Sequence, residues 1–492
     1  MYSSLSDHYS AFSLLGAEGG ANAQRAQLEE TIRKSLETGT VTAGVQTPTT
    51  FGSAGQLSPL VNEDLDKLVS QIDFKAQHLA FFAWLPKADA TQTIVQYVRW
   101  LSHGSAHIDN ATMEGELAVQ NVSSLARGSV QIKQYIETRG ITDIGNAQMN
   151  TVGGSVVPTE PLVMQTQEGM LTLHRSLERD SLYGDAVVAE AKIDGVVTQL
   201  KTAGQYENLD GEQLTMELLE ERVRDLQAAP NFGMPTHIFV VPKVYTALTK
   251  QQIAMARREM NGEGITYGFP NGALKILVGE SILSVVPLIF LDDRAILPVS
   301  SAMNNGTALA VVAINQQPAV TGAPVSGSLF GPADLGSYEY AVMAFGPNGF
   351  TKWTQLTTQS MAVEGDSLTM KFTNDAAYTY YKVFRTPVNT VLTGVEATDI
   401  KKYQLIATIK NAGGGTTTFV DLNAERTGCY KTLILRQDPA EICLYQLIKL
   451  MRIPLARVKA VQPFYLITAV GLALKVPEHN WLMTNCAAPA SV

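Results

Sequence analysis

Cysteine is almost missing from this chain: Cys429, Cys443 and Cys486 are the only three among 492 residues. So few thiols, so far apart, exclude a disulfide framework and a zinc site built on paired cysteines. They read as small buried hydrophobes of a protein made in a reducing compartment. Positive charge is also short. Lys and Arg number 37 against 46 Asp and Glu, a formal net charge of −9. A protein that grips nucleic acid generally needs a basic face that displaces counterions, and that class is disfavoured. An inner wall around packaged DNA remains compatible, since it gains by not adhering to phosphate. Long apolar runs are lacking too. The uncharged stretch AVQPFYLITAVGLAL, residues 460–474, is shorter than the ~20 residues of a membrane helix and carries Pro463. The opening residues MYSSLSDHYSAFSLLGAEGG have no basic stretch ahead of an apolar one, so no signal peptide is expected.

What is abundant is globular. Hydrophobic residues make up 45% and charged residues 17% of the chain, which fits roughly two to four domains with large buried surfaces. The first 50 residues are the exception. They hold one helical piece, with Leu28, Ile32 and Leu36 at helical spacing before Gly39, and then a Thr/Gly-rich linker. Such a segment either docks on a neighbour as an arm or is removed as a leader; the sequence leaves both open.

Residues 62–82 predict a helix with Leu65, Leu68, Val69, Ile72 and Leu79 on its apolar positions. TQTIVQYVRWL predicts a strand, and SVQIKQYIETRGITDIG a second one, with a polar connection at residues 103–127 between them. Such a long hairpin has no core of its own and must lie against something else. Residues 160–183 predict the longest helix, with Thr159 as N-cap and Pro161 in the first turn; it would span ~36 Å at 1.5 Å per residue. Further helices are expected at 214–229 and 243–260, and strands at 236–242 and 273–297, giving an α+β core.

From about residue 307 to 435 the helical signal disappears. YEYAVMAF, TKWTQLT, SLTMKF, YTYYKVFR, YQLIATIK and TTTFVD are short strand candidates between turns such as 347–349 and 413–415. The spacing predicts a β-sandwich of immunoglobulin or fibronectin type III kind, with Tyr338, Tyr340 and Trp353 in or near its core. Its Lys371, Lys382, Lys401 and Lys402, set against Glu364, Asp366, Glu396 and Asp399, read as a mixed solvent-facing surface. The dense apolar pattern then resumes from 441 to 481 as buried strands and one short helix. The β-rich stretch is therefore read as an insertion into a core that continues after it.

Catalytic and metal chemistry finds little support. His103 and His107 are four apart, but they lie in a Gly/Ser loop with only Asp109 nearby, so a solvated loop or a subunit contact is the better reading. Gly413–Gly415 is followed by neither the Lys-Ser/Thr nor the helix of a phosphate loop and reads as a hairpin turn. Asp292 and Asp293 read as a turn exit, because adjacent strand carboxylates point to opposite faces. No serine stands in a nucleophile elbow and no cysteine has an evident histidine partner. No enzyme activity, cofactor or metal is expected. Arg257, Arg258, Arg452 and Arg457 read as subunit-contact arginines rather than a nucleic-acid stripe.

The order of parts, together with NED (62–64), RWLSHG (99–104), SLYGDAVV (181–188), IDGVVTQL (193–200), YYKVFR, FVDLN and the tail LIKLMRIPLARVKA…LALKVPEHNW, resembles the major capsid proteins of large contractile-tailed bacteriophages. These have the Hong Kong phage-type fold, shared with encapsulins and herpesvirus capsid floors. The likeness runs from about residue 60 to the end. It implies an N-terminal arm (1–60), an arm helix (61–93), an extended hairpin (94–141) lying over a neighbouring subunit, and a peripheral domain with a spine helix (142–213). An axial domain (214–306, joined by 441–466), the insertion (307–435) and a return to the axial and peripheral core (436–492) would follow. It further implies hexamers and pentamers forming an icosahedral head around double-stranded DNA, assembled in the host cytoplasm with no membrane partner. Portal, scaffold or protease and decoration proteins would act during assembly. Arg99, Trp100, His103, His107, Arg127, Arg257, Arg258, Arg452 and Arg457 are the candidate inter-subunit residues. Residues 103–127 contain no lysine, so no lysine–asparagine cross-link at the hairpin tip is expected. The insertion is expected to face outward, bracing capsomers or binding host glycans. Two rival readings are an encapsulin-like compartment shell and a secreted, fibronectin-bearing glycan-binding protein or hydrolase. The large insertion and long arm weigh against the first; the absence of a signal peptide and of paired catalytic carboxylates weighs against the second.

Overall fold

The computed structural model describes residues 76–104, 111, 113–117, 120–143, 161–256, 274–278, 281–292, 303–304, 309–347, 349–390, 399–457 and 460–488. All belong to one compact unit. The expected N-terminal helix, the Thr159 cap, His107, Asp293, Arg257 and Arg258 lie outside the described residues.

A long helix, Pro161–Tyr183, sets the frame of the α+β part. Proline suits its first position because that N–H has no partner within the helix. Leu173 and Leu177 are buried on one face, with Leu162 and Met170 packed against the same core. The helix ends where the backbone must pass close to itself: a Cβ at Gly184 would stand 2.1 Å from the Ile193 carbonyl oxygen. The helix lies on a four-stranded sheet. Its two central strands, Ile442–Pro454 and Val461–Leu474, pair antiparallel; Lys87–Asp89 and Lys133–Thr142 flank them. The run from Leu466 to Leu474 is buried throughout, as a strand covered on both faces requires.

The second sheet has six strands. In spatial order they are Tyr206–Asn208, Trp481–Cys486, Tyr430–Leu435, His237–Val240, Ser281–Pro287 and Lys275–Val278. Helix Met216–Gln227 buries Met216, Leu219, Val223 and Leu226, spaced to share one stripe, and Thr215 caps it by accepting from the Leu218 N–H. Helix Val196–Ala203 stops at Gly204, whose φ of 76° is left-handed and whose N–H reaches the Leu200 and Lys201 carbonyls.

The β-rich stretch forms two antiparallel sheets around one apolar layer. Ile314–Val320, Leu368–Thr373 and Thr416–Asp421 make the first. Gln404–Lys410, Tyr380–Arg385 and Tyr340–Gly346, continued by Gly349–Phe350 and Met303–Asn304, make the second. Tyr340, Val342, Ala344, Tyr381 and Val383 face Leu368, Met370 and Phe372 across that layer. The intervening residues Ala341, Met343 and Phe384 form a second small cluster with Trp353 and Tyr403, so the second sheet is buried on both faces. Tyr338, Tyr340 and Trp353 are core residues, as expected.

Several expectations are corrected. The helix over 62–82 does not continue through its described part: a 3-10 turn, Ala76–His78, is separated by Leu79 from a short helix, Ala80–Trp84. The second hairpin strand is two strands, Ser124–Gln131 and Lys133–Thr142, which divide at Ile132 into different sheets. Residues 442–466 do not join the sheet of the 214–297 elements; they pair beneath the long helix, because Val461–Leu474 needs cover on both faces. The boundary at 435 cuts a core strand, since Tyr430–Leu435 pairs with His237–Val240 and Trp481–Cys486. Gly413–Gly415 does not close a hairpin: it carries the chain from one sheet of the module to the other. Lys382 and Asp366 are buried, not solvent-facing: Lys382 lies on the face of its strand turned to the long helix, and Asp366 accepts from the Gly322 and Ser367 N–H groups.

Candidate assembly surface

The hairpin pairs Ile94–Ser102 with Ser124–Gln131 in a two-stranded sheet, without a third strand among the described residues. Alternation gives it two unlike faces. Val95, Tyr97 and Arg99, opposite Val130, Gly128 and Ala126, are partly covered by their own chain. Tyr97 lies across Gly128, where a Cβ would stand 2.5 Å from the ring, so glycine is what lets the ring rest there. Burial raises the Tyr97 pKa, with Arg99 opposing. Arg99 Nη1 reaches Glu478 Oε1 at 3.6 Å and donates to the Lys475 carbonyl at 3.4 Å, tying the hairpin to the segment after Val461–Leu474. A cleft of about 590 Å³ opens beneath, floored by Asp194, Gln199 and Pro477. At the hairpin base the backbone crosses Gly471, where a Cβ would meet the Gln131 carbonyl oxygen at 3.1 Å.

The other face is open. Ile94, Val98, Trp100 and Leu125 are each more than half exposed, Trp100 by 65%. Towards the tip Met113, Leu117 and Val122 are more exposed still, with Leu117 fully so. Surface apolar residues scattered singly need no explanation, but a row of them along one face of an unsupported sheet marks an interaction surface. Arg127 lies on this face opposite Val98, with its Nη1 3.5 Å from Gln96 Oε1. The His103 ring rests edge-on against Trp100 at 5.3 Å.

Four of the nine candidate residues, Arg99, Trp100, His103 and Arg127, thus meet on one hairpin. Arg452 and Arg457 lie elsewhere. The Arg452 guanidinium stacks over the Phe464 ring at 5.0 Å, and Arg457 stands 3.9 Å from Asp143 at an exposed position. His103 shares no ligand cluster: among the described residues no group of His, Cys, Asp or Glu could hold a metal. Cys429, Cys443 and Cys486 are free thiols, and burial raises the pKa of each.

A second polar constellation, unsignalled by any motif, joins the β-module to the core where the chain returns. Arg426 donates to Asp334 of the module from Nε at 3.1 Å. Its Nη1 pairs with Asp210 Oδ1 at 3.1 Å, and its backbone N–H donates to Asn485 Oδ1 at 2.8 Å. Beside it, Glu425 is clamped between Lys201 at 2.6 Å and Lys431 at 2.7 Å. Burial works against the Glu425 carboxylate, but the two lysines together hold its pKa below the usual range. The available signal was the charge pair in NAERTGCYK, which is dense for a short connection between two strands.

No protein-family model matches the chain. Among characterised proteins it is 23% identical over 469 residues to the major capsid protein of Staphylococcus phage K, covering 92% of this chain and 94% of that one. It is 22% identical over 480 residues to the putative major capsid protein of Enterococcus phage phiEF24C, with the same coverage. Among solved structures it is similar to the capsid of a native GTA particle (TM-score 0.43, 9% identity, 90% of this chain and 100% of that chain). It is also similar to the capsid of Myoviridae phage XM1 (TM-score 0.42, 8% identity, 86% and 96%).

Proposed function

We infer that this chain is a structural shell subunit, the major capsid protein of a tailed bacteriophage. The sequence match to major capsid proteins supports this from near one end to the other, and the hairpin carries it. The row Ile94, Val98, Trp100 and Leu125 has no cover within the described residues and suits burial against another copy. Each such side chain, fully covered, contributes about 1.5–3 kcal/mol, and a closed shell repeats the contact at every subunit. Hexamers and pentamers around double-stranded DNA are the assembly this supports, with Arg127 and His103 at the rim of the contact. The two-sheet module serves as an immunoglobulin-like outward brace between capsomers.

Electron microscopy of the expressed protein tests the reading. The wild type should form large closed shells. Deleting residues 102–128, or the milder pair Val98→Asp and Trp100→Asp, should leave soluble folded subunits without shells. Normal shells from the double substitution would refute the hairpin's role. Failure of the wild type to assemble with its phage's other head proteins would refute the function.

A further inference from the structure

Where the two-sheet module meets the C-terminal end of the long helix there is a cleft of about 50 Å³. That is room for a few water-sized groups, more than a single buried water needs. The helix side contributes Arg179, Asp180 and Asp185 with Lys192 of the following loop, and the module side contributes Lys382 and Thr408. Three cations therefore face two carboxylates, and both carboxylates are already engaged. Asp180 Oδ1 accepts from Lys192 Nζ at 2.8 Å and its Oδ2 from the Tyr135 hydroxyl at 3.1 Å. Asp185 Oδ1 accepts from the Val187 N–H at 2.8 Å and the Val188 N–H at 3.3 Å.

Lys382 is the unusual member. It occupies a central strand, paired with Met343 on one side and Thr408 on the other, and is only 4% exposed. Its Nζ lies 4.8 Å from the Phe345 ring centroid, and no acceptor or anionic partner is within bonding distance among the described residues. Arg179 likewise has no hydrogen-bonded or ion-pair partner among them. A buried ammonium without an acceptor is costly, and a second unpaired cation beside it adds repulsion.

We propose that this cleft binds one small inorganic oxyanion, phosphate or sulfate in type, held between Arg179 of the long helix and Lys382 of the two-sheet module. Such an ion supplies several acceptor oxygens at once, and both cations, with Thr408, line the space it would occupy. Burial, followed by the neighbouring Arg179 and Lys192 charges, pushes the Lys382 pKa down, with Asp180 opposing. A bound anion reverses that pressure. The ion then acts as a rivet between module and core, independent of whether the chain builds a shell.

The test is thermal unfolding of purified subunits in sodium phosphate or sodium sulfate against sodium chloride at matched ionic strength, for wild type, Lys382→Met and Arg179→Gln. General salting-out by these anions acts on all three proteins alike, so the difference between wild type and variants is the readout. The expected result is a wild-type Tm rise of about 2–4 °C beyond that of either variant, since a ligand that binds only the folded state raises its melting point. Equal increments in all three proteins, or a chloride effect as large as the oxyanion effect, would overturn the proposal. If Lys382→Met fails to fold, Arg179→Gln carries the comparison alone, because Arg179 is only partly buried.

Discussion

Replacing Arg385 by methionine should be among the most damaging conservative changes in the module. Arg385 is fully buried in strand Tyr380–Arg385. Its Nη1 donates to Asp421 Oδ2 at 2.6 Å, and its Nη2 donates to Asn423 Oδ1 at 2.6 Å and to the Glu425 carbonyl at 3.1 Å. The guanidinium stands 5.2 Å from the Phe330 ring and 5.1 Å from the Tyr338 ring. Methionine keeps most of the volume but leaves Asp421 as a buried carboxylate without its cation. Removing one partner of such a pair costs about 3–5 kcal/mol. Asp421 retains two donors, the Tyr340 hydroxyl and the Asn423 N–H, both at 2.9 Å. Among the described residues Arg385 Nε already lacks a hydrogen-bond partner, so nothing is lost there. These two offsets place the expected loss near the lower bound, about 3 kcal/mol. Arg385→Met combined with Asp421→Leu removes both charges and should lose about 3 kcal/mol less than the sum of the single variants. Urea unfolding of unassembled subunits, followed by Trp353 fluorescence with Trp84, Trp100 and Trp481 replaced by Phe, reads the module directly, since Trp353 packs 5.2 Å from Tyr403 within it. A single-variant loss below about 1 kcal/mol, or strict additivity, would refute the reasoning.

Glu178 supplies a pH-dependent latch. Its Oε1 and Oε2 accept from the Phe81 and Phe82 N–H groups at 2.8 and 2.6 Å, joining the long helix to Ala80–Trp84. Burial raises its pKa to about 7, against the two N–H donors that lower it. The folded state therefore holds a proton that the unfolded chain releases nearer 4.5. The resulting stabilisation is complete below that lower value and is lost as pH rises through about 7, by at most about 3 kcal/mol. Urea midpoints of wild type should fall across that window relative to those of Glu178→Gln, which retains the other titrating groups such as His174 and His237; parallel profiles would contradict it. Arg426→Ala should loosen the module from the core, costing about 2–3 kcal/mol because the buried Asp334 loses a charge-assisted partner. Limited proteolysis should then cut near residue 426 at rates the wild type does not show, and unchanged cleavage would remove Arg426 from that role.

Much of this protein is a direct consequence of local pattern. The 3.6-residue spacing of Leu173 and Leu177 after Pro161 yields the long helix, and that of Met216, Leu219, Val223 and Leu226 yields the helix after Thr215. Period-two segments such as SLTMKF and TTTFVD become strands because neither helical spacing nor a helix cap competes in them. The open hairpin face was also legible in outline, since two strands with polar flanks and no third strand cannot bury their apolar residues alone. Local pattern could not say which sheet a strand joins. Ile132 sits midway in one extended run, yet the pairing of Lys133–Thr142 with Val461–Leu474 turns that run away from the hairpin. Nor could it find that Lys382 and Arg385, three residues apart in one strand, would both be buried. Strand alternation sends Arg385 towards Asp421 and Lys382 towards the long helix, and burial on both sides follows only because this sheet is covered on both faces. Residues close in sequence determine the elements. Partners such as Arg426 and Asp334, or Glu178 and Phe81, are set by contacts between distant segments, whose free energy exists only once the layers have packed.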